Sequence, residues 1–411
     1  MTPDLAVRAP PPPLRGDGRR LSLAYLGHPH HGGTYTVFRS LRAGLAELGV
    51  DLQWLGVGDG AWRAWTDPYW QADCRYGAPV GPRGDASEAE LAGHLASAIV
   101  EGGYDGVLVG VLTREAEMLA VTRLPPQLPR IMIVHNITPG TYAAACALRD
   151  AVHATVAISP RIARDLVDRH GFRRERCAVI GHGIPLDAPT RPRPASPDLR
   201  ILSLGRIDEA AKGVLWLPRI MRRLGEGYSL TIAGDGPDLP RLRGAAADLG
   251  GRVAFVGMVA PDDVPGLFAA HDVLLVPSRY EGFCLTVAEA MAAGCIPVAS
   301  QISGVTDALI RHGRDGMLFP VGDVAAAAAA LRLLRDPAVR APMSLAARAH
   351  AVANFGIDTM AGRYLAVFDE VLRAPPRISP TPLSAMPRSL IRRALPASVK
   401  NALRLVRERV A

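Results

Sequence analysis

Disulfide bridges and membrane-spanning helices are two features that this 411-residue sequence gives no sign of. Its five cysteines, Cys74, Cys146, Cys177, Cys284 and Cys295, are odd in number and widely scattered, with no pair at metal-ligand spacing. No run of eighteen apolar residues occurs, and the Pro- and Arg-rich first twenty residues lack the apolar segment of a signal peptide. These absences predict a cytoplasmic protein with reduced thiols.

Lysine is almost missing as well, since only Lys212 and Lys400 occur among 47 basic residues. The net charge of +8 is concentrated at the end of the chain, where residues 374–411 carry eight basic residues against one acid. The first twenty residues carry +2, which leaves −1 for residues 21–373. The body of the protein therefore shows no basic surface of the kind that binds nucleic acid.

Short apolar segments alternate with segments of helical periodicity throughout the body, which predicts doubly wound parallel sheets in an α/β protein. A stretch with four prolines and no apolar period, residues 186–199, separates two such units and indicates a linker. Ligands of open parallel sheets bind at the carboxyl ends of the strands. Candidate site residues are therefore expected where each predicted strand ends.

Two carboxylates follow the predicted strand at residues 272–277. Glu281 lies in the loop and Glu289 in a helix expected to start near Thr286, and both suit a sugar or a ribose diol. The alternative for Glu289 is a capping box with Thr286, in which it would only bind a backbone amide. Glu281 has no comparable structural explanation.

Basic residues follow two other strand ends. Arg206 and Lys212 come after the first strand of the second unit, where two cations beside a helix N-terminus suit a pyrophosphate. The alternative is an exposed arginine and a lysine that merely flanks a helix. His135 ends the strand at residues 130–134 and is expected to face the crevice, although a structural histidine is the alternative.

Two loops of the first unit allow two interpretations each. Residues 28–33 join a strand to a helix through Gly32 and Gly33, an arrangement suited to phosphate, and their three histidines lack the acid of a typical metal site. Residues 62–70 hold three of the five tryptophans, which either plug their own domain or form a stacking platform for an acceptor.

The stretch from Glu281 to Pro297 resembles the signature of the retaining GT-B glycosyltransferases of family 4, Glu-Gly-Phe-Gly-Leu-x-x-x-Glu-Ala-x-Ala-x-Gly-x-Pro. It departs at Cys284, where the family usually has glycine, and the family's later glutamate is replaced around Thr306 and Asp307. The resemblance covers roughly residues 21–373 and is strongest from residue 200 onward. It implies a GT-B fold, with two Rossmann-like domains facing each other across a cleft.

The resemblance also implies roles for individual residues. Glu281 would hold the donor sugar and Glu289 the ribose, while His135 would approach the sugar from the opposite domain. Arg206 and Lys212 would bind the donor diphosphate, and Gly32 and Gly33 would approach the same phosphates. The remaining positions expected to contact the donor are Met258, near the base, and Phe283, Cys284, Leu285 and Thr286.

The expected organisation has six parts. They are a disordered N-terminal segment (1–20), an acceptor-side domain (21–185), the linker (186–199), a nucleotide-sugar-binding domain (200–356), a helix returning to the first domain (357–373) and a basic amphipathic tail (374–411).

The expected activity is transfer of a sugar from a nucleotide-diphosphate sugar, such as a UDP-sugar, to a sugar or lipid-linked acceptor with retention of configuration. No metal or other cofactor is expected, and cell-surface polysaccharide or glycolipid synthesis is the expected setting. The alternatives are a GT-B sugar-nucleotide epimerase and a non-catalytic sugar-nucleotide-binding or scaffold protein. Residues 389–411 are expected to form basic amphipathic helices that suit an anionic membrane surface, and docking on the body or a disordered basic end are the alternatives.

Overall fold

The computed structural model describes residues 20–30, 32–111, 114–187 and 198–379. The predicted linker lies mostly outside these ranges, and so does nearly all of the predicted N-terminal segment. The amphipathic part of the tail, residues 389–411, lies entirely outside them. No helix in the described ranges is both long and apolar enough to cross a membrane.

The first domain is built on a seven-stranded sheet in which all paired strands are parallel, in the order β3-β2-β1-β4-β5-β6-β7. Its strands are β1 (Ser22–Leu26), β2 (Asp51–Val57), β3 (Gly77–Val80), β4 (Gly106–Gly110), β5 (Arg130–Val134), β6 (Ala154–Ala157) and β7 (Cys177–Val179). The connecting helices are α1 (Gly33–Glu47), α2 (Gly58–Thr66), α3 (Glu88–Glu101), α4 (Glu115–Arg123), α5 (Pro139–Leu148) and α6 (Pro160–His170).

The second domain repeats this plan with a six-stranded parallel sheet in the order β10-β9-β8-β11-β12-β13. Its strands are β8 (Leu199–Leu204), β9 (Tyr228–Ala233), β10 (Val253–Gly257), β11 (Val273–Val276), β12 (Ile296–Ser300) and β13 (Met317–Phe319). Its helices are α7 (Glu209–Lys212), α8 (Trp216–Leu224), α9 (Leu239–Ala245), α10 (Val264–Ala270), α11 (Leu285–Ala292), α12 (Thr306–Leu309), α13 (Val324–Leu333) and α14 (Pro337–Asn354).

Both sheets reverse their strand order beside their first strand. In the first sheet β1 pairs with β2 on one side and β4 on the other, and in the second β8 pairs with β9 and β11. A crevice opens at such a switch point, outside the carboxyl ends of the strands. The residues that follow β1, β8 and β11 are therefore placed at the two switch points. The expected fold class, two doubly wound parallel-sheet domains, is confirmed.

Helix α15 (Ile357–Arg373) follows the second domain but packs on the first. Gly44 of α1 allows this close approach, since a Cβ there would lie 2.8 Å from the Cβ of Ala361 and from Cγ2 of Ile357. Phe368 is fully buried, and a Cβ at Gly106 of β4 would come within 2.7 Å of its ring. The first domain therefore takes its last helix from the end of the described chain.

The two domains also touch directly beside the cleft. The amide of Arg161 donates to the carbonyl oxygen of Gly304 over 3.0 Å, and the amide of Ile184 donates to that of Phe355 over 2.8 Å. These contacts define the domain junction, on the side of the cleft formed by the ends of β6 and β7.

Candidate active site

Lys212 is held at the carboxyl edge of the second sheet by a short, well-fixed helix. The side chain of Asp208 caps α7 by accepting from the amide of Ala211 over 3.2 Å. Gly213 ends it with a φ of 58°, and a Cβ there would lie 2.4 Å from the carbonyl oxygen of Pro277. The amide of Arg279 then donates to the carbonyl oxygen of Ala211 over 2.8 Å. The helix that carries Lys212 is thus locked against the loop after β11.

Glu281 of that loop forms an ion pair with Lys212. Its Oε1 lies 2.6 Å from Nζ of Lys212 and accepts a second hydrogen bond, also of 2.6 Å, from Oγ of Ser278. Burial lowers the pKa of Lys212, but the carboxylate of Glu281 outweighs this effect and holds the pKa above its usual range. The ammonium is therefore charged at neutral pH, and 32% of its side chain remains exposed.

Arg206 adds a second cation to the pocket in which Lys212 and Glu281 lie. The pocket is lined by the residues after β8 and β11, including Arg206, Lys212, Glu281 and Thr286. The guanidinium pairs with Asp208 over 2.8 Å, and 64% of the Arg206 side chain is exposed. Arg206 can therefore turn toward an anion in the pocket without leaving a buried acid unpaired.

Glu289 is a half-buried carboxylate that has no hydrogen bond or ion pair to any described residue. Burial raises its pKa to about 7. The alternative of a capping box is wrong, because α11 begins at Leu285 with Cys284 at the N-cap position and no side-chain cap. Glu289 therefore lies beyond the first turn, where it cannot bond the N-cap amide.

Cys284 has an unusual backbone conformation. Its φ of 77° makes it the one non-glycine residue with a positive φ in the described parts of the chain. The side chain is buried, and Sγ lies 3.8 Å from Oγ1 of Thr286. Burial, followed by the charge of Glu281, raises the pKa of the thiol to about 12. A thiol that stays neutral is not a nucleophile at physiological pH.

His135 and the Glu281 loop meet across the cleft. A Cβ at Gly282 would lie 2.3 Å from the carbonyl oxygen of His135, so only glycine allows this approach. Both ring nitrogens of His135 are buried and have no hydrogen-bond partner among the described residues. Burial lowers its pKa to about 4, so the ring is neutral at pH 7. The structure thus brings His135 to the loop that carries Glu281.

The sequence interpretation missed His182, which stacks on His135. The two ring centroids lie 5.7 Å apart at an interplanar angle of 29°. The buried ring of His182 also packs edge-on against Phe283, with centroids 5.1 Å apart. Gly181-His182-Gly183 follows β7, so the signal used for His135, a histidine at the end of a parallel strand, was present here too.

Not every predicted donor contact lies in the pocket that contains Lys212. Phe283 turns its ring toward His182 at the domain junction, and Leu285 packs against the core that includes the first domain. Met258 follows edge strand β10 with 74% of its surface exposed and does not line this pocket. Thr286 does line it.

Gly32 and Gly33 form the start of α1, with Gly32 at the N-cap position. A Cβ at Gly33 would meet no atom of the described residues within 4 Å, so packing against them does not require glycine there. The open space leaves the backbone accessible to a ligand. No group of three or more His, Cys, Asp or Glu side chains that could hold a metal ion occurs within the described ranges.

The tryptophan-rich stretch, residues 62–70, packs within the first domain, and its first residues belong to helix α2 rather than to a loop. Trp70 is buried, and the ring of Trp65 packs against that of Trp54 with centroids 6.1 Å apart. Nε1 of Trp62 donates to the carbonyl oxygen of Gly81 over 3.2 Å, and the guanidinium of Arg83 lies over its ring. These contacts agree with the interpretation that the tryptophans plug their own domain.

Comparisons with known proteins agree with this architecture. Residues 198–336 match the family model described as glycosyl transferases group 1. The chain is 32% identical over 257 residues to a glycogen synthase of Mycobacterium tuberculosis, covering 57% of this chain and 61% of that protein. It is 31% identical over 234 residues to the D-inositol 3-phosphate glycosyltransferase of Acidothermus cellulolyticus, covering 51% of each. These matches span less than two thirds of the relatives' own lengths.

Solved structures extend the likeness to nearly the whole described chain. The Anabaena protein HepE, crystallised with UDP, superposes with a TM-score of 0.71 at 18% identity, covering 85% of this chain and 100% of HepE. The sucrose-phosphate synthase of Thermosynechococcus elongatus gives a TM-score of 0.71 at 20% identity, covering 86% and 100%. Likeness at these identities establishes a shared fold.

Proposed function

We propose that this protein transfers a sugar from a nucleotide-diphosphate sugar to an acceptor with retention of configuration. Two findings support the proposal: the second domain of the chain belongs to the glycosyl transferases group 1, and the chain has the GT-B fold. The observation that carries the proposal is the Lys212–Glu281 ion pair of 2.6 Å, beside Arg206 at a switch point of the sheet. Phosphate recognition and sugar recognition would thus meet in one pocket.

The proposed role of each site residue is consistent with its surroundings. The ammonium of Lys212 and the guanidinium of Arg206 would stabilise the charge that develops on the leaving diphosphate. Glu281 would accept from hydroxyls of the donor sugar while it keeps Lys212 charged and oriented. The unpaired carboxylate of Glu289 would accept from the ribose hydroxyls. His135, neutral at pH 7, would contact the sugar from the first domain.

The finer parts of the proposal follow from the same residues. Two cations replace a resident metal ion, so the proposed reaction needs none. The HepE structures with UDP make a UDP-sugar the first donor to test. Synthesis of a cell-surface polysaccharide or glycolipid, at the cytoplasmic face of a membrane, is the proposed setting.

A donor panel tests the proposal. The protein is incubated with UDP-, GDP- and ADP-sugars and a set of sugar and lipid-linked acceptors, with and without a chelator, and nucleotide release is measured beside the anomeric signals of the glycosylated products. We expect one nucleotide class to be turned over, with the chelator present and with the α-anomer formed from an α-linked donor. Epimerised donor without nucleotide release would favour the epimerase, and binding without any turnover would favour a scaffold protein.

A further inference from the structure

A second cavity lies at the domain junction, apart from the pocket that contains Lys212. Its walls come from the ends of β6 and β7 in the first domain, from α12 and the end of α14 in the second, and from the start of α15. None of the residues named so far as phosphate or ribose contacts lines it. A ligand in this cavity would touch both domains at once.

The charge of the cavity wall has one sign. Its fixed charge is the guanidinium of Arg363, and no aspartate or glutamate is among the described residues that line it. The rings of His182 and His350 also line the cavity, and burial holds the pKa of His182 well below its usual value, so that ring is neutral at pH 7. Arg363 is exposed on α15. Nδ1 of His350 pairs with Asp315 over 2.7 Å, so that acid lies behind the histidine rather than in the wall. A wall with a fixed cation and no carboxylate favours an anion.

The wall also presents groups suited to a hydroxylated ring. Ser159 lies at the N-cap position of α6 without capping it, and its buried Oγ has no partner among the described residues. Nδ1 of His182 is likewise buried and unpartnered within those ranges. Thr359 and Asn354 add polar groups, while Phe283 and Phe355 supply aromatic surface. Buried polar atoms are normally satisfied, so unpartnered ones are candidates for ligand or water contacts.

From this combination we propose that the junction cavity is a second ligand site, which takes a small anion carrying hydroxyl groups, such as a free sugar phosphate. Arg363 would bind the phosphate, and the aromatic rings would cover the sugar. Binding at this site is independent of the proposed function.

The site is coupled to the proposed active site through His182 and Phe283. Both residues line the cavity, and His182 also stacks on His135, while Phe283 adjoins Gly282 in the loop that carries Glu281. A ligand that fixes these rings changes the affinity for the nucleotide, and by linkage the nucleotide changes the affinity for that ligand by the same factor. This coupling rests on the proposed function, whereas the binding does not.

Isothermal titration of the full chain with glucose 6-phosphate as the probe tests the binding. We expect Arg363→Gln, and Ala308→Trp at an exposed cavity-lining position, to raise the dissociation constant at least tenfold. Arg373→Gln on the same helix is the matched control and should stay within twofold of the parent. Inorganic phosphate and glucose, titrated separately, should both bind more weakly than glucose 6-phosphate.

Lys212→Ala separates this site from the pocket that contains Lys212. It should weaken UDP binding and leave glucose 6-phosphate binding within twofold. Saturating glucose 6-phosphate should change the UDP affinity of the parent at least threefold, and no change would overturn the coupling. The binding proposal is overturned if neither Arg363→Gln nor Ala308→Trp weakens the probe, if the parent does not bind it, or if Lys212→Ala abolishes its binding.

Discussion

At the scale of single residues, the most specific prediction concerns the effect of Lys212 on nucleotide binding. Lys212→Ala removes one charge-assisted contact to the proposed diphosphate, so UDP binding should weaken by about 1.5–3 kcal/mol. Uridine, which has no phosphate, should bind almost as well as to the parent. Isothermal titration with both ligands measures the difference, and Arg373→Ala, an exposed change on α15, is the control. Equal losses for uridine and UDP would show that Lys212 does not read phosphate.

The raised pKa of Glu289 predicts that the stability of the protein depends on pH. Burial raises its folded-state pKa from 4.5 to about 7, so the native state holds this proton more tightly than the unfolded chain does. The stabilising effect is complete below pH 4.5 and is lost as the pH rises through about 7. Glu289→Gln should remove this effect, because an amide does not titrate in this range.

Urea unfolding between pH 4.5 and 8 checks the Glu289 prediction. The stability of the parent relative to Glu289→Gln should fall as the pH rises and level off above about pH 7. A constant difference across this range would mean that Glu289 titrates with an ordinary pKa.

At the scale of elements, the start of α11 combines a correct expectation with a wrong one. The helix was expected to start near Thr286, because a run of strong helix formers follows and Gly294 stops it. It begins at Leu285, one residue earlier. The capping box failed because Cys284, in a left-handed conformation, is the N-cap residue. Residue types alone do not show which residue leaves the helical conformation first.

The conformation of Cys284 has a measurable consequence for stability. A side chain in the left-handed region costs about 1–2 kcal/mol, and glycine avoids this cost. In Cys284→Gly the relief of this backbone cost should therefore offset much of the stability that is lost with the buried side chain. Cys295→Gly, at a fully buried cysteine without positive φ, has no such compensation and is the matched control.

Chemical denaturation of the two cysteine variants gives the comparison. Cys284→Gly is expected to cost at least about 1 kcal/mol less than Cys295→Gly. Equal costs would show that the backbone at residue 284 is not strained by its side chain.

The strands were more predictable than the contacts between elements. Buried parallel strands are short apolar runs, so β5 and β11 could be located from the sequence within one or two residues. The Lys212–Glu281 ion pair joins residues 69 positions apart and depends on the docking of α7 against Arg279. The stack of His135 on His182 depends on two strand ends meeting at the domain junction. No local pattern encodes either distance.

At the scale of the whole molecule, the two α/β units and the return of α15 follow from the alternation of segments and from the family resemblance. The tail is a separate question, because residues 380–411 lie outside the described ranges. The described chain ends on the first domain, where the amide of Ser379 donates to the carbonyl oxygen of Asp150 over 2.8 Å.

Deletion of residues 380–411 tests membrane attachment. Residues 380–411 carry seven basic residues and one acid, and each basic residue near an anionic bilayer contributes about 1 kcal/mol. The full chain should float with vesicles containing phosphatidylserine at low salt, and the shortened chain should not, while both release nucleotide from the donor at the same rate. Equal flotation of the two proteins, or none by either, would contradict the proposal.

The central claim is that Glu281 acts on the donor sugar while Lys212 and Arg206 hold the diphosphate. Glu281→Gln keeps the volume of the side chain, removes its charge and frees Lys212 from its ion pair. Titration with UDP and the rate of sugar transfer from the donor identified by the panel are measured on the same preparation. The account predicts that UDP binding is retained, with transfer reduced at least a hundredfold. Transfer at the parental rate would contradict it.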